Sequence, residues 1–162
     1  MEAGTLRKVD RIDVTDARLL RALVEQPRAT AVALAERLGL SRNTAAARLA
    51  RLEQRGALDS FEQRINPAAL GYPLTAFVTT RVTQRRLDEV SAALAEIPEV
   101  LSVQGITGQT DLMVRVVAAD ADDLYRIAGQ ILAIEWVERT DTALVMRELV
   151  PYRIGPLLRR IG

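Results

Sequence analysis

Apolar residues recur along this chain with two different periods, and the change of period divides it. Through residues 12–55 they return every three to four positions, the spacing of one helical face, and the run is broken twice. Leu19, Leu20, Leu23 and Val24 form the first stripe, with Thr15 available as its N-cap. That helix should end near Gln26-Pro27, because a residue before proline avoids the helical region. Thr30 can cap a second helix whose inner face is Val32, Leu34, Ala35 and Leu38, and Gly39 ends it. Ser41 can cap a third helix running to about Arg55, with Ala45, Leu49 and Leu52 inward and Gly56 as its stop.

Beyond Gly56 the helical period is lost. Residues 58–65 read as two short irregular strands, and residues 66–73, with two prolines and a glycine, as a linker. From there β-branched and helical runs alternate. Strands are expected over 74–83, 100–106, 112–117 and 137–149, and helices over 84–97 and 121–132. The order strand, helix, strand, strand, helix, strand is that of a ferredoxin-like βαββαβ domain, an antiparallel sheet with two helices on one face. The fold class is therefore α+β. A helix-turn-helix domain is expected over 1–65, a linker over 66–73 and the ferredoxin-like domain over 74–162.

Composition narrows the chemistry. The chain has 162 residues, 49% of them hydrophobic, which supports a packed core. It has no cysteine and no histidine, which removes disulfides, zinc fingers, thiol chemistry and the commonest catalytic proton carrier. No nucleophile–base pair, metal cluster or phosphate loop stands out, so neither an enzyme nor a bound metal or cofactor is expected. No apolar run approaches the roughly 18 residues of a membrane span, and the N-terminus lacks the apolar centre of a signal peptide. A cytoplasmic protein is the expectation. The net charge is +1, yet residues 1–65 hold twelve Arg or Lys against nine Asp or Glu, and residues 66–162 hold ten against twelve. Between Arg37 and Arg55 stand five arginines and one acid, Glu53. Such a stretch suits a phosphate backbone, although a charge run is also an ordinary solvated helix face.

The third helix decides between those readings. Projected at about 100° per residue, with Ala45, Leu49 and Leu52 inward, its outer side carries Asn43, Ala46, Ala47 and Ala50. Thr44 and Arg51 lie on one flank, and Arg42 and Arg48 near the margins of the inner face. Small alanines let a helix approach base edges, and an alanine methyl can touch a thymine methyl. Asn43 can pair with adenine, Arg42, Arg48 and Arg51 can reach phosphates, and the capped start at Ser41 favours a phosphate. A merely solvated face would carry Glu and Lys instead. Double-stranded DNA is the expected partner, held by Ser41, Arg42, Asn43, Thr44, Ala46, Ala47, Arg48 and Arg51 on the second helix of a helix-turn-helix.

At this point the chain resembles the Lrp/AsnC, or feast/famine, family of regulators. Val9-Asp10-Arg11-Ile12-Asp13 resembles its opening Leu-Asp-x-x-Asp, and Leu34-Ala35-Glu36-Arg37-Leu38-Gly39-Leu40-Ser41 its helix-turn-helix turn. Arg48-Leu49-Ala50-Arg51-Leu52-Glu53-Gln54-Arg55-Gly56, Ile65-Asn66-Pro67 and Gly108-Gln109-Thr110-Asp111 follow in the family's order. The chain departs from its usual pattern at Ala45, Thr110 and Leu112, where bulkier aliphatic or aromatic residues are common. The resemblance implies a winged helix-turn-helix, with residues 58–65 as the wing, followed by the ferredoxin-like effector domain, and a sequence-specific transcriptional regulator, not an enzyme, forming homodimers that assemble into tetramers or octamers. It implies an amino acid or related effector bound between dimers near the Gly-x-x-Asp turn.

A free amino acid presents an ammonium and a carboxylate. Backbone N–H groups of a glycine turn can hold the carboxylate, and Asp111 can accept from the ammonium. Thr107, Gly108, Gln109 and Thr110 complete the turn, with Thr140 and Thr142 on the last strand as further donors, from the same or a neighbouring subunit. The bland role of Gly108 and Asp111 is to shape a hairpin. An architectural DNA-compacting protein with little ligand response is the alternative function.

Overall fold

The structure is a computed structural model that describes residues 11–161, so Val9 and Asp10 of the opening motif lie outside the described residues. It divides into two compact units. One is the chain up to Gln63 together with the segment from Val150, and the other is Arg64–Leu149.

The first unit is helical. α1 (Val14–Glu25) is capped by Asp13, two residues before the expected Thr15. The backbone N–H of Asp16 donates to Asp13 Oδ1 at 2.8 Å, and the N–H of Asp13 donates back to Asp16 Oδ2 at 3.4 Å. A carboxylate satisfies these orphan donors and suits the positive end of the helix dipole, which is why aspartate takes the position from threonine. α2 (Ala31–Leu38) has the expected Thr30 cap, whose Oγ1 accepts from the N–H of Ala33, and it ends at Gly39 with φ 66°. That left-handed turn re-aims the chain into α3 (Arg42–Gln54), capped by Ser41. Leu19, Ala22, Leu34, Ala35 and Ala45 are buried together and lock the three helices.

Two features of this unit differ from expectation. Residues 58–65 form no wing strands. Phe61–Arg64 is a single 3-10 turn, because the segment lacks the alternation of apolar residues that would give a strand a buried face. The segment from 150 onward, expected in the C-terminal domain, belongs instead to the helical unit. There α6 (Gly155–Leu158) buries Leu158 against Leu20 and Leu52, closing a second small core.

The second unit carries β1 (Leu74–Val82), α4 (Leu87–Ala95), β2 (Val100–Gly105), β3 (Leu112–Ala118), α5 (Ala121–Leu132) and β4 (Val137–Leu144). The sheet is four-stranded and antiparallel in the order β2-β3-β1-β4, the ferredoxin-like arrangement. Alternate β1 residues Ala76, Val78 and Val82 share one buried cluster with Val90 and Leu94 of α4 and Ile127 and Ile131 of α5, so both helices cover the same face. The expected linker at 66–73 contains a 3-10 turn, Pro67–Leu70, with the Asn66 side chain accepting from the N–H of Ala68. β4 stops at Leu144 rather than at 149. Leu144 pairs with Ala76 near the start of β1, and after the bond from Val145 N–H to the Thr75 carbonyl little partner strand is left.

Candidate functional site

α3 is built as its projection implies. Ala45 and Leu52 are buried and Leu49 half-buried, while Arg42, Asn43, Ala46, Ala47 and Ala50 are exposed. Ser41 and Thr44 are also exposed, but their hydroxyls bond to each other at 2.8 Å, and Ser41 Oγ accepts from the N–H of Thr44 at 3.1 Å. These two side chains therefore shape the helix start that presents Arg42 and Asn43.

Arg48 and Arg51 are placed differently from a simple phosphate-facing pair. Arg48 donates to Asp13 Oδ2 at 2.6 Å and to Asp16 Oδ1 at 2.7 Å, and Arg51 reaches Asp16 Oδ2 at 3.1 Å. The Asp16 side chain is only 4% exposed. The capped start of α1 carries two carboxylates, Asp13 and Asp16, and one turn of α3 answers with two guanidiniums, so α3 is clamped to α1. Hydrogen bonds from Arg48 and then from the N–H of Asp16 hold the Asp13 carboxyl below its ordinary pKa, and the same contacts with Asp13 and Asp16 raise that of Arg48. Arg42, by contrast, is exposed and has no ion pair among the described residues. The clamp was not foreseen from the sequence. Its trace is an Asp-x-x-Asp spacing at Asp13 and Asp16, three residues after the pair matched to the opening motif, and an Arg-x-x-Arg spacing at Arg48 and Arg51.

The candidate effector turn joins β2 to β3. Thr107, Gly108 and Gln109 are exposed, Thr110 and Asp111 half-buried, and Gly108 has φ 131°, which L side chains rarely adopt. Asp111 is committed to the fold. Its Oδ2 accepts from the N–H of Val82 at 2.9 Å and its Oδ1 from Gln84 Nε2 at 3.4 Å. Its own N–H donates to the Thr80 carbonyl at 2.9 Å. The carboxylate thus fastens the hairpin to the end of β1, the bland role weighed above, and retains only its remaining lone pairs for an ammonium.

Within one chain the other two candidates are not beside the turn. β4 is separated from β3 by β1, so Thr140, opposite Thr80, stands about 10 Å across the sheet from Leu112. Thr140 and Thr142 pair with Thr80 and Val78 and so point to the helix side of the sheet. Thr107, Gly108 and Gln109 are the exposed part of the candidate set in one subunit.

Comparison with known proteins matches both units. The AsnC-type helix-turn-helix domain matches residues 12–53, and the Lrp/AsnC ligand binding domain matches residues 75–154. The proline dehydrogenase transcriptional activator of Rhodobacter capsulatus is 32% identical over 145 residues, 87% of this chain and 94% of that protein. The solved structure of AsnC from Escherichia coli superposes with TM-score 0.79 at 24% identity, covering 91% of this chain and all of that one, a likeness of fold. A feast or famine regulatory protein from Mycobacterium tuberculosis, solved in complex with L-methionine, superposes with TM-score 0.78 at 32% identity, covering 89% of this chain and 98% of that one.

Proposed function

Because this chain belongs to the Lrp/AsnC family of DNA-binding transcriptional regulators, which are not enzymes, we propose that it reads specific duplex sites under control of an amino acid effector. The observation that carries the DNA reading is the outer face of α3, where three alanines lie beside exposed Arg42 and Asn43 on a helix clamped to α1. Arg42 and Asn43 are the base-reading candidates. Arg48 and Arg51 hold the helix first, and face phosphate only with the donors the carboxylates leave unused.

The effector reading rests on the ligand-binding domain, on the exposed residues 107–109, and on the related mycobacterial regulator's complex with L-methionine. In this proposal the N–H groups of that turn take the effector's carboxylate, and the site is completed by a second copy of the chain. Homodimers, and tetramers or octamers built from them, fit the large exposed apolar side chains of the second unit, among them Leu144, Met146 and Leu149. The place of action is the cytoplasm. An effector must bind one assembly better than another to shift anything, so it acts by changing assembly or dimer orientation, and with it how many α3 helices engage together.

Operator affinity and size-exclusion profiles, measured across a panel of amino acids, test this. A ligand that moves both supports it, and a panel that moves neither overturns the effector reading while leaving DNA binding intact. The occupied carboxylate of Asp111 favours a second reading, an architectural protein with little ligand response. Binding to random duplex as tight as to its own promoter would select it.

A further inference from the structure

The turn between α5 and β4 ends on Trp136, the only tryptophan in the sequence. Its φ is 75°, and no other non-glycine among the described residues has a positive φ. Glycine adopts that conformation at no steric cost, whereas a bulky side chain there is strained. The ring is nevertheless displayed rather than packed away, since Trp136 remains 41% exposed. The Arg86 guanidinium stands over the indole, 5.1 Å from the ring centroid, and itself donates to Glu89 at 2.8 Å. The charge of Arg86 is thus already answered by a carboxylate, and what the pair offers a ligand is aromatic surface.

Trp136 lies at the same end of the sheet as the effector turn. Residues 82–84 are bonded toward both. The Val82 N–H and Gln84 Nε2 donate to the Asp111 carboxylate at 2.9 and 3.4 Å, and the Thr83 N–H donates to the Trp136 carbonyl at 3.1 Å. β1 stands between β3, which follows the turn, and β4, which follows Trp136, so about 10 Å of sheet separates the two. An effector whose carboxylate is held at residues 107–109 reaches toward the indole only with an extended side chain, since the methyl of alanine ends one bond from its own Cα. We propose that Trp136 is a specificity-determining residue of the effector site, selecting amino acids with a long apolar or aromatic side chain that packs against the indole. The inference rests on the effector reading above and adds to it the class of side chain. The strained backbone fits this role, because such conformations are kept where a particular side chain must be aimed.

The test uses the full chain and its lone indole. Trp136 emission is followed while glycine, L-alanine, L-glutamate, L-lysine, L-leucine, L-methionine and L-phenylalanine are titrated, and calorimetry measures each affinity in the parent chain and in Trp136→Gly. Glycine suits the positive φ, so the variant keeps the backbone, and thermal unfolding checks the second unit. Should it not fold, Trp136→Asn serves, since asparagine also tolerates the left-handed region. The expected result is a saturable change of emission with a long apolar or aromatic amino acid, bound at least about tenfold more tightly than L-alanine. In the variant that affinity falls at least about tenfold and the preference over L-alanine shrinks with it. If a small or charged amino acid is preferred, if emission is unchanged at saturation, or if the variant keeps both affinity and preference, this inference is overturned while the effector reading stands. If no member of the panel binds the parent chain, the two fall together.

Discussion

Replacing Asp16 by Asn tests the clamp between α1 and α3 with almost no change of shape. The Asp16 carboxylate accepts from Arg48 at 2.7 Å and from Arg51 at 3.1 Å, and it closes the capping box of α1. Removing one partner of a buried ion pair costs about 3–5 kcal/mol, because the other charge is left unpaired. Here the guanidiniums retain 25% and 41% of their side-chain exposure, so water recovers part of the loss. A cost of about 2–3 kcal/mol is expected, taken from the same range after that discount. The two units need not unfold together, so a single melting curve is a poor reporter. Hydrogen exchange at the amides of α1 and α3 reports the opening free energy of the helical unit directly. A cycle with Arg48→Ala should show coupling of about 1 kcal/mol or more, since the two groups touch. If Asp16→Asn changes exchange in α1 and α3 by less than about 0.5 kcal/mol and the coupling vanishes, the clamp is not what holds the recognition helix.

Three further outcomes follow from the structure. Thr80 is fully buried and its hydroxyl has no hydrogen-bond partner among the described residues, so Thr80→Val should leave the second unit as stable or raise its stability by about 1 kcal/mol in thermal unfolding, and a loss would show a hidden partner. Asp111→Ala should speed exchange at the Val82 amide and cost about 1–3 kcal/mol in the second unit, and an unchanged Val82 amide would refute its fastening role. Asp13 has a folded pKa below its ordinary 3.8, so it stabilises the folded state above that pH and the contribution is lost as pH falls through the folded value. Acid unfolding of the helical unit below about pH 4 should therefore be shallower in Asp13→Asn than in the parent chain, and equal slopes would contradict the assignment.

The fold was largely legible because its cues are local. Thr30, Ser41 and Gly39 sit where a capping side chain or a left-handed turn is required, and the apolar stripes of α2, α3 and α5 have the helical period. Illegible parts depend on residues far apart in sequence. Asp16 meets Arg48 across 32 positions and Leu158 meets Leu20 and Leu52 across more than a hundred, and neither pairing leaves a periodic trace. The outer face of α3 was readable by projection because a helix fixes its own geometry. The role of Asp111 was not, since it depends on whether the end of β1 offers donors, and Val82 and Gln84 do.

The return of the chain from Val150 to the helical unit also sets an order of events during synthesis. Domains generally complete themselves in the order they leave the ribosome, N-terminal first. This helical unit cannot, because Leu158, which shares a buried cluster with Leu20 and Leu52, follows the whole second unit along the chain. The three helices that read DNA emerge early with a core still open, and the whole sensor-side sheet is translated before the closing piece arrives. A prematurely terminated chain would thus carry a recognition helix on an unfinished support, leaving aborted fragments poor competitors for the finished regulator's sites.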